Sequence, residues 1–190
     1  MGQFGTRDST LDVLKGIGII SMIMGHSNMG HFFEIYVAGF HMQLFFIVSG
    51  YLYHPEKYPK FFPYLKRKIS TIIIPYFFFV IVTVIICEVT NGIRDQDVFK
   101  WCQYFQGVLW GNRAIFPITG AVWFLQSIFW IEIGYYFIEK IRSTVKVSIV
   151  IIILLSISII LSFHEIALPL SLDSALSGII FYHIGYVLSK

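Results

Sequence analysis

The feature that most constrains this sequence is an unbroken apolar run, because such a segment cannot face water. Residues 145–163 are mostly apolar, and Ile149 to Leu155 carries no polar side chain at all. A second run of the same kind covers residues 69–89. About 20 mostly apolar residues in a helix cross the ~30 Å core of a bilayer. Only 13% of the chain is charged, against about 25% in an ordinary soluble domain. We therefore predict an all-α, polytopic membrane helix bundle.

The distribution of apolar and basic residues predicts both the number of spans and their orientation. We predict about six transmembrane helices, over residues 11–26, 36–53, 69–89, 121–138, 145–163 and 168–188. Lysine and arginine concentrate in cytoplasmic links. Here eleven of the fourteen lie in alternate links or at the adjoining span ends: Arg7, Lys15, Lys57, Lys60, Lys66, Arg67, Lys68, Lys140, Arg142, Lys146 and Lys190. The other links are poorer in positive charge, with Arg94, Lys100 and Arg113 between the third and fourth spans. This alternation places the N-terminus in the cytoplasm. The chain shows no internal repeat or linker, so we expect residues 1–190 to form a single membrane domain.

The remaining composition excludes several classes of protein. A net charge of +3 is too small to indicate nucleic-acid binding. Cys87 and Cys102 have neither the spacing nor the histidine neighbours of a zinc site or disulfide framework, and we expect no metal. Residues 98–109 repeat apolar side chains at three- and four-residue spacing, which predicts an amphipathic helix at the membrane interface.

Charged residues within the first span are informative, because they are costly in a membrane helix unless they face a partner or cavity. Lys15 and His26 are eleven positions apart, so they share a helix face and lie ~16 Å apart along its axis. Asp12 lies on the same side, one turn before Lys15. One interpretation is that Asp12 and Lys15 snorkel to the interface and that His26 is an ordinary helix-end residue. The other is that His26 is a general base, a role for which histidine is well suited near neutral pH.

Two further predicted spans carry polar residues. His41 lies near the outer end of the second span, where it can approach His26. Ser49 and Gly50 lie deeper, either near a substrate or as small residues in helix packing. Glu132 lies within the fourth span, either as part of a functional site, paired for example with Lys15, or as a structural ion pair or protonated carboxyl.

Five segments in order along the chain carry a family resemblance. They are Leu11 to Ile20 with Gly25-His26-Ser27, Phe40 to Leu52, Lys66-Arg67-Lys68 with Ile74-Pro75-Tyr76, Val122 to Leu125, and Phe181 to Tyr186. Together they resemble the acyltransferase-3 family of membrane O-acyltransferases, and the fucose 4-O-acetylase-like branch most of all. Lys15 stands where many members have arginine, which alone offers a planar fork of donors. Gln43 stands where a proline is expected.

The resemblance implies transfer of an acetyl or other acyl group from acetyl-CoA to a hydroxyl of a cell-envelope carbohydrate, in the plasma membrane. It assigns catalysis to His26, Lys15 and Asp12. The phosphates of the donor would meet Lys66, Arg67 and Lys68. The acceptor would contact His41, Ser49, Trp123 and Glu132.

Two other functions remain compatible with the sequence. Family domains have more spans than this chain. The chain is therefore expected to be the N-terminal part of a longer domain or a truncated product. One alternative to an active enzyme is thus an inactive fragment. A multi-pass transporter of small molecules or glycans is another, since inward-facing Lys15 and Glu132 would also suit transport. The absence of GxSxG, HExxH and P-loop motifs gives no support to serine hydrolase, metalloprotease or NTPase activity.

Overall fold

The fold is all-α, as predicted. The computed structural model describes residues 9–25, 37, 40–94, 107–108, 122–141 and 143–190, and these contain helices and no strand. The helices are α1 (Ser9–Gly25), α2 (His41–Tyr51), α3 (Phe61–Lys68), α4 (Ile74–Arg94), α5 (Trp123–Ile138), α6 (Thr144–Phe163) and α7 (Leu172–Leu188). Short 3₁₀ turns cover Pro55–Lys57 and Pro169–Ser171. His26 and the predicted interfacial helix, except residues 107–108, lie outside the described residues.

One wide turn joins α3 and α4 into a continuous helix. Ile69–Ile73 forms a π turn between them, immediately before Pro75. Proline has no N–H to donate, and its ring crowds the carbonyl four residues earlier, here that of Thr71. A π turn widens the helix at this point. The helix therefore begins at Phe61, earlier than the predicted start at residue 69. It includes Lys66, Arg67 and Lys68, which we expected in a link.

Two of the described helices are long and apolar enough to cross a membrane. They are Phe61–Ile86 and Thr144–Phe163, with mean hydropathies of 2.6 and 2.7. Only 17% and 11% of their most apolar windows are buried within the protein. The core helix of a soluble protein would be mostly buried, so these exposed apolar surfaces indicate contact with lipid. These two helices are therefore candidate membrane spans.

The other described helices in predicted spans are shorter. The first, second, fourth and sixth predicted spans contain helices of 17, 11, 16 and 17 residues. At 1.5 Å per residue, 17 residues cover about 25 Å, less than the ~30 Å hydrocarbon core. The count of six spans and the cytoplasmic N-terminus therefore stay predictions.

The chain divides into two compact units. The single membrane domain over residues 1–190 stays a prediction. The first unit contains residues 1–53 and 181–190, and the second contains residues 54–180. In the first unit, α1 packs against α2. In the second, α5 packs against α3, the π turn and the 3₁₀ turn at Pro169–Ser171. The polar residues of interest are distributed over both units.

A serine cap marks the start of α6, and residues in left-handed backbone separate α6 from α7. Ser143 caps α6, where its side chain accepts a hydrogen bond from the backbone N–H of Lys146 at 3.5 Å. This is the usual role of an N-cap serine. The segment between α6 and α7 is held in left-handed backbone at Glu165, Leu170 and Ser171, with φ of 53°, 58° and 55°. These residues separate α6 from α7.

Candidate functional site

Helix α1 carries two of the three predicted catalytic residues. Asp12 and Lys15 lie near its start, and both are half-buried. Lys15 precedes Gly18 by one turn, and Gly18 is buried against the ring of Phe45 on α2. Lys15 therefore flanks the side of α1 that packs on α2. The predicted common face of Lys15 and His26 stays a prediction, because His26 lies outside the described residues.

His41 is held in one tautomer at the start of α2. Its side chain is buried, and Nδ1 lies 2.7 Å from the carbonyl oxygen of Val37. A carbonyl oxygen can only accept, so Nδ1 carries the hydrogen and donates it. In the neutral imidazole, Nε2 then bears a lone pair. His41 can consequently accept a hydrogen bond from a hydroxyl group through Nε2.

Gly50 and Gly185 permit backbone contact between α2 and the end of α7 within the first unit. A Cβ added at Gly50 would collide with the carbonyl oxygen of Tyr182, and one added at Gly185 would collide with that of Ile47. The helix-packing interpretation of the Ser49–Gly50 pair therefore holds for Gly50. Ser49 is half-buried, and its predicted contact with substrate stays a prediction.

Substitution of Gly50 provides a test of this packing. We expect Gly50→Ala to lower the free energy of unfolding by about 1–3 kcal/mol, the usual cost of overpacking, because backbone atoms cannot move aside as a side chain would. Gly16→Ala on α1 is the matched control, since no described atom beyond its own stretch of helix lies within 4 Å of its added Cβ, and alanine there favours the helix by up to about 1 kcal/mol. Thermal unfolding in detergent measures both changes. Equal stability of the two variants would contradict the close packing.

In the second unit, Glu132 is buried and paired with a lysine that we did not predict as its partner. Lys68 Nζ lies 2.7 Å from Glu132 Oε2, and the side chains are 17% and 9% exposed. By this distance the contact is an ion pair. Glu132 is therefore in an ion pair, and its partner is Lys68, where we considered Lys15. The predicted contact of Glu132 with substrate stays a prediction.

Two tyrosines surround this ion pair. Tyr64 is fully buried, donates a hydrogen bond to the Glu132 carbonyl at 3.2 Å, and lies under the Lys68 ammonium, whose nitrogen is 5.4 Å from the ring centre. Tyr136 stacks on Tyr64 with ring centres 5.1 Å apart. Lys140 in turn donates to the Tyr136 hydroxyl at 3.1 Å. We call Tyr64, Lys68, Glu132 and Tyr136 the ion-pair cluster.

The other two basic residues of α3 remain exposed. Lys66 and Arg67 lie at the protein surface, and the Arg67 guanidinium lies 5.6 Å from the centre of the Tyr58 ring. The predicted phosphate-binding trio is thus divided: Lys68 faces Glu132, whereas Lys66 and Arg67 can meet an anionic ligand.

A second buried polar network, which sequence reasoning missed, fixes the segment between α6 and α7. Gln126 donates to the Val108 carbonyl at 2.9 Å and accepts from the Ser171 hydroxyl at 3.1 Å. Ser127 donates to the Ser171 carbonyl at 3.2 Å. Buried polar side chains usually have such partners. Trp123, one turn before Gln126, is half-buried, and its predicted contact with substrate is untested.

In the part of the chain that the structure describes, no three His, Cys, Asp or Glu side chains lie together as metal ligands would. The described residues include an exposed cationic pair, Lys66 and Arg67, and a buried ion pair, Lys68 and Glu132. They also include His41, whose tautomer is fixed.

Comparison with known proteins adds one finding. The family model of the acyltransferase-3 proteins, described as an acyltransferase domain, matches residues 8–190. No curated protein and no solved structure matches the chain significantly. The family match covers nearly the whole sequence. It includes the predicted catalytic residues Asp12, Lys15 and His26 and the ion-pair cluster.

Proposed function

Because the chain belongs to the acyltransferase-3 family, we propose that it is a multi-pass O-acyltransferase of the plasma membrane that moves an acetyl group from acetyl-CoA to a hydroxyl of a cell-envelope carbohydrate. The observation that carries this proposal is the extent of the family match, from residue 8 to residue 190. The motifs around His26 and His41 support the narrower assignment to the fucose 4-O-acetylase-like branch.

Lys66 and Arg67 are the proposed contacts of the donor. Acetyl-CoA carries several phosphate charges, and exposed lysine and arginine side chains are suited to bind them. Both residues are exposed on α3, near a helix end that the distribution of charge places towards the cytoplasm. Lys68 is paired with Glu132, so we assign it a structural role together with Glu132.

His26 is the proposed general base, with Lys15 and Asp12 as its partners on the same helix face. In the transfer step the histidine removes the proton of the acceptor hydroxyl while the hydroxyl oxygen attacks the thioester carbonyl. The carbon–sulfur bond then breaks, and the CoA thiolate leaves and takes up a proton. His41 is proposed to accept a hydrogen bond from the acceptor through Nε2, with Ser49 and Trp123 as further contacts.

Transfer of radiolabelled acetyl from acetyl-CoA tests the proposal directly. We expect membranes that contain the chain to place label in envelope glycan, and matched membranes without the chain to place none there. Alkaline release of the label as acetate would establish an ester. Absence of labelled glycan, with the chain present and folded in the membrane, would contradict catalysis by this chain.

The exposed cationic pair gives a prediction for donor affinity. We expect Lys66→Gln and Arg67→Gln each to raise the KM for acetyl-CoA by about tenfold, because a hydrogen bond to a charged group contributes about 1.5–3 kcal/mol and 1.4 kcal/mol is tenfold. The KM for the acceptor should not change. Lys146→Gln is the matched control, an exposed lysine in the first turn of α6 on the same predicted side. Equal KM values in all three variants would contradict the donor role.

A further inference from the structure

A polar cavity of about 340 Å³ lies in the second unit, where α6 ends and α7 begins. This volume lies in the range of small-molecule sites, about 300–1,000 Å³. Its lining residues are Ser158, Leu161, Ser162, Glu165, Ile166, Ala167, Asp173, Ser174 and Ser177. None of these residues belongs to the machinery proposed above.

The lining is rich in hydrogen-bond acceptors and carries only negative charge. Glu165 and Asp173 have no ion pair, and the hydroxyls of Ser162 and Ser174 have no hydrogen bond, to any residue that the structure describes. The Ser158 hydroxyl donates to the Asp173 carbonyl at 3.2 Å, which leaves its lone pairs available. A ligand would therefore find several acceptors and no cation among the lining residues.

The rim of the cavity is set before any ligand binds. The lining residue Glu165 lies in left-handed backbone, and so does Ser171, with φ of 55°, two residues before the lining residue Asp173. Such conformations persist where the surrounding structure determines them. Ser171 is fixed by its hydrogen bonds with Gln126 and Ser127. A preformed rim lowers the ordering cost of binding.

This chemistry selects among ligands. A ligand with several O–H or N–H donors matches the acceptors, and an anionic ligand would be repelled by Glu165 and Asp173. Leu161, Ile166 and Ala167 provide apolar surface for the C–H face of a sugar ring. Among the described residues no three His, Cys, Asp or Glu side chains lie together as metal ligands would, at this cavity or elsewhere. The cavity therefore suits a neutral or amino-bearing polyol better than a metal ion.

We propose that the cavity between α6 and α7 binds a neutral or amino-bearing carbohydrate through Glu165, Asp173 and the neighbouring serines. Its identification as a site for the acceptor glycan rests on the proposed acyltransferase function. The selectivity of the cavity for sugars without negative charge does not depend on that function.

The test measures glycoside binding to the purified full chain in detergent by saturation-transfer NMR. The probes are methyl glucoside, methyl glucosaminide and methyl glucuronide. We expect the first two to bind and the anionic glucuronide to be excluded. Glu165→Gln and Asp173→Asn should each weaken binding of the first two by about tenfold, because each removes a hydrogen bond to a charged group. The matched controls are Ser156→Ala on α6 and Glu139→Gln after α5, neither of which lines the cavity, and both should bind as wild type.

Glu165→Lys provides a second test that does not depend on loss of binding. Glu165 is exposed at the rim, so the lysine is accommodated there without burial. We expect this variant to gain glucuronide binding and to lose preference for the glucosaminide. Failure of all three glycosides to bind wild type, or unchanged selectivity in the Glu165 and Asp173 variants, would overturn the inference.

Failure of this inference can be separated from failure of the proposed function. A chain that binds glycosides through Glu165 and Asp173 but transfers no acetyl would support the cavity and contradict the enzyme. A chain that transfers acetyl while the cavity variants bind glycosides as wild type would overturn the cavity alone.

Discussion

We expect His26→Ala to lower the rate of acetyl transfer by about 10²–10⁴-fold, the usual contribution of general acid–base catalysis. The reason is that an alcohol is a poor nucleophile until its proton is removed as it attacks. The KM for acetyl-CoA should change little, because the donor is proposed to contact Lys66 and Arg67. Initial rates of label transfer, normalised to the amount of chain in the membrane, measure the effect.

Two controls distinguish a base from a residue that merely supports the fold. His164→Ala removes an exposed histidine at the end of α6 and should transfer at the wild-type rate. The rate of the wild-type protein should fall towards acid pH as the base becomes protonated, and His26→Ala should lose this fall in its residual activity. A His26→Ala variant within twofold of wild type would contradict the assignment.

The apolar pattern predicted most helices because long apolar runs leave few alternatives in a membrane. The fifth span was predicted over residues 145–163 and is observed over Thr144–Phe163. The start of the third was wrong for a physical reason. Three consecutive basic residues indicated a link, but the structure keeps Lys66, Arg67 and Lys68 in a helix because two of them reach the surface and the third reaches Glu132.

The partner of Glu132 could not be predicted from sequence alone, since it depends on which faces of α3 and α5 meet. A signal was nevertheless present. Tyr64 and Lys68 are four residues apart, as are Glu132 and Tyr136, so each pair lies on one helix face. Packing these two faces together brings the charges and the rings into contact at once. The backbone contact at Gly50 had no comparable signal, because the sequence does not show which helix approaches a glycine.

The second prediction with a large expected effect concerns the contribution of the ion-pair cluster to the free energy of unfolding. We expect Glu132→Leu to lower the free energy of unfolding by about 3–5 kcal/mol, because removing one partner of a buried pair leaves an uncompensated buried charge. Lys68 is only 17% exposed, and its nearest other contact in the cluster is the Tyr64 ring. Denaturant titration in detergent, followed by tryptophan fluorescence, measures the loss. Glu139→Gln, a carboxylate outside the cluster, should change stability by less than about 0.5 kcal/mol.

The double variant Lys68→Met/Glu132→Leu should recover most of this loss. Replacing both members of a buried ion pair with apolar residues of similar volume is often neutral or stabilising, so the two substitutions should be strongly non-additive. If the double variant is as unstable as Glu132→Leu, the cost comes from the loss of packing around Glu132 and not from the orphaned lysine.

Activity of the same double variant separates a structural ion pair from a proton-carrying one. In a proton-coupled transporter, an intramembrane carboxylate takes part in the transport cycle, so a folded protein without Glu132 would have lost its function. In the proposed acyltransferase, the pair only fixes α3 against α5 and so positions Lys66 and Arg67. We therefore expect the double variant to keep acetyl transfer within about threefold of wild type, a difference of less than about 0.7 kcal/mol, because neither residue is proposed to contact the donor or the acceptor. A stable double variant without transfer would contradict a purely structural role for the Lys68–Glu132 pair.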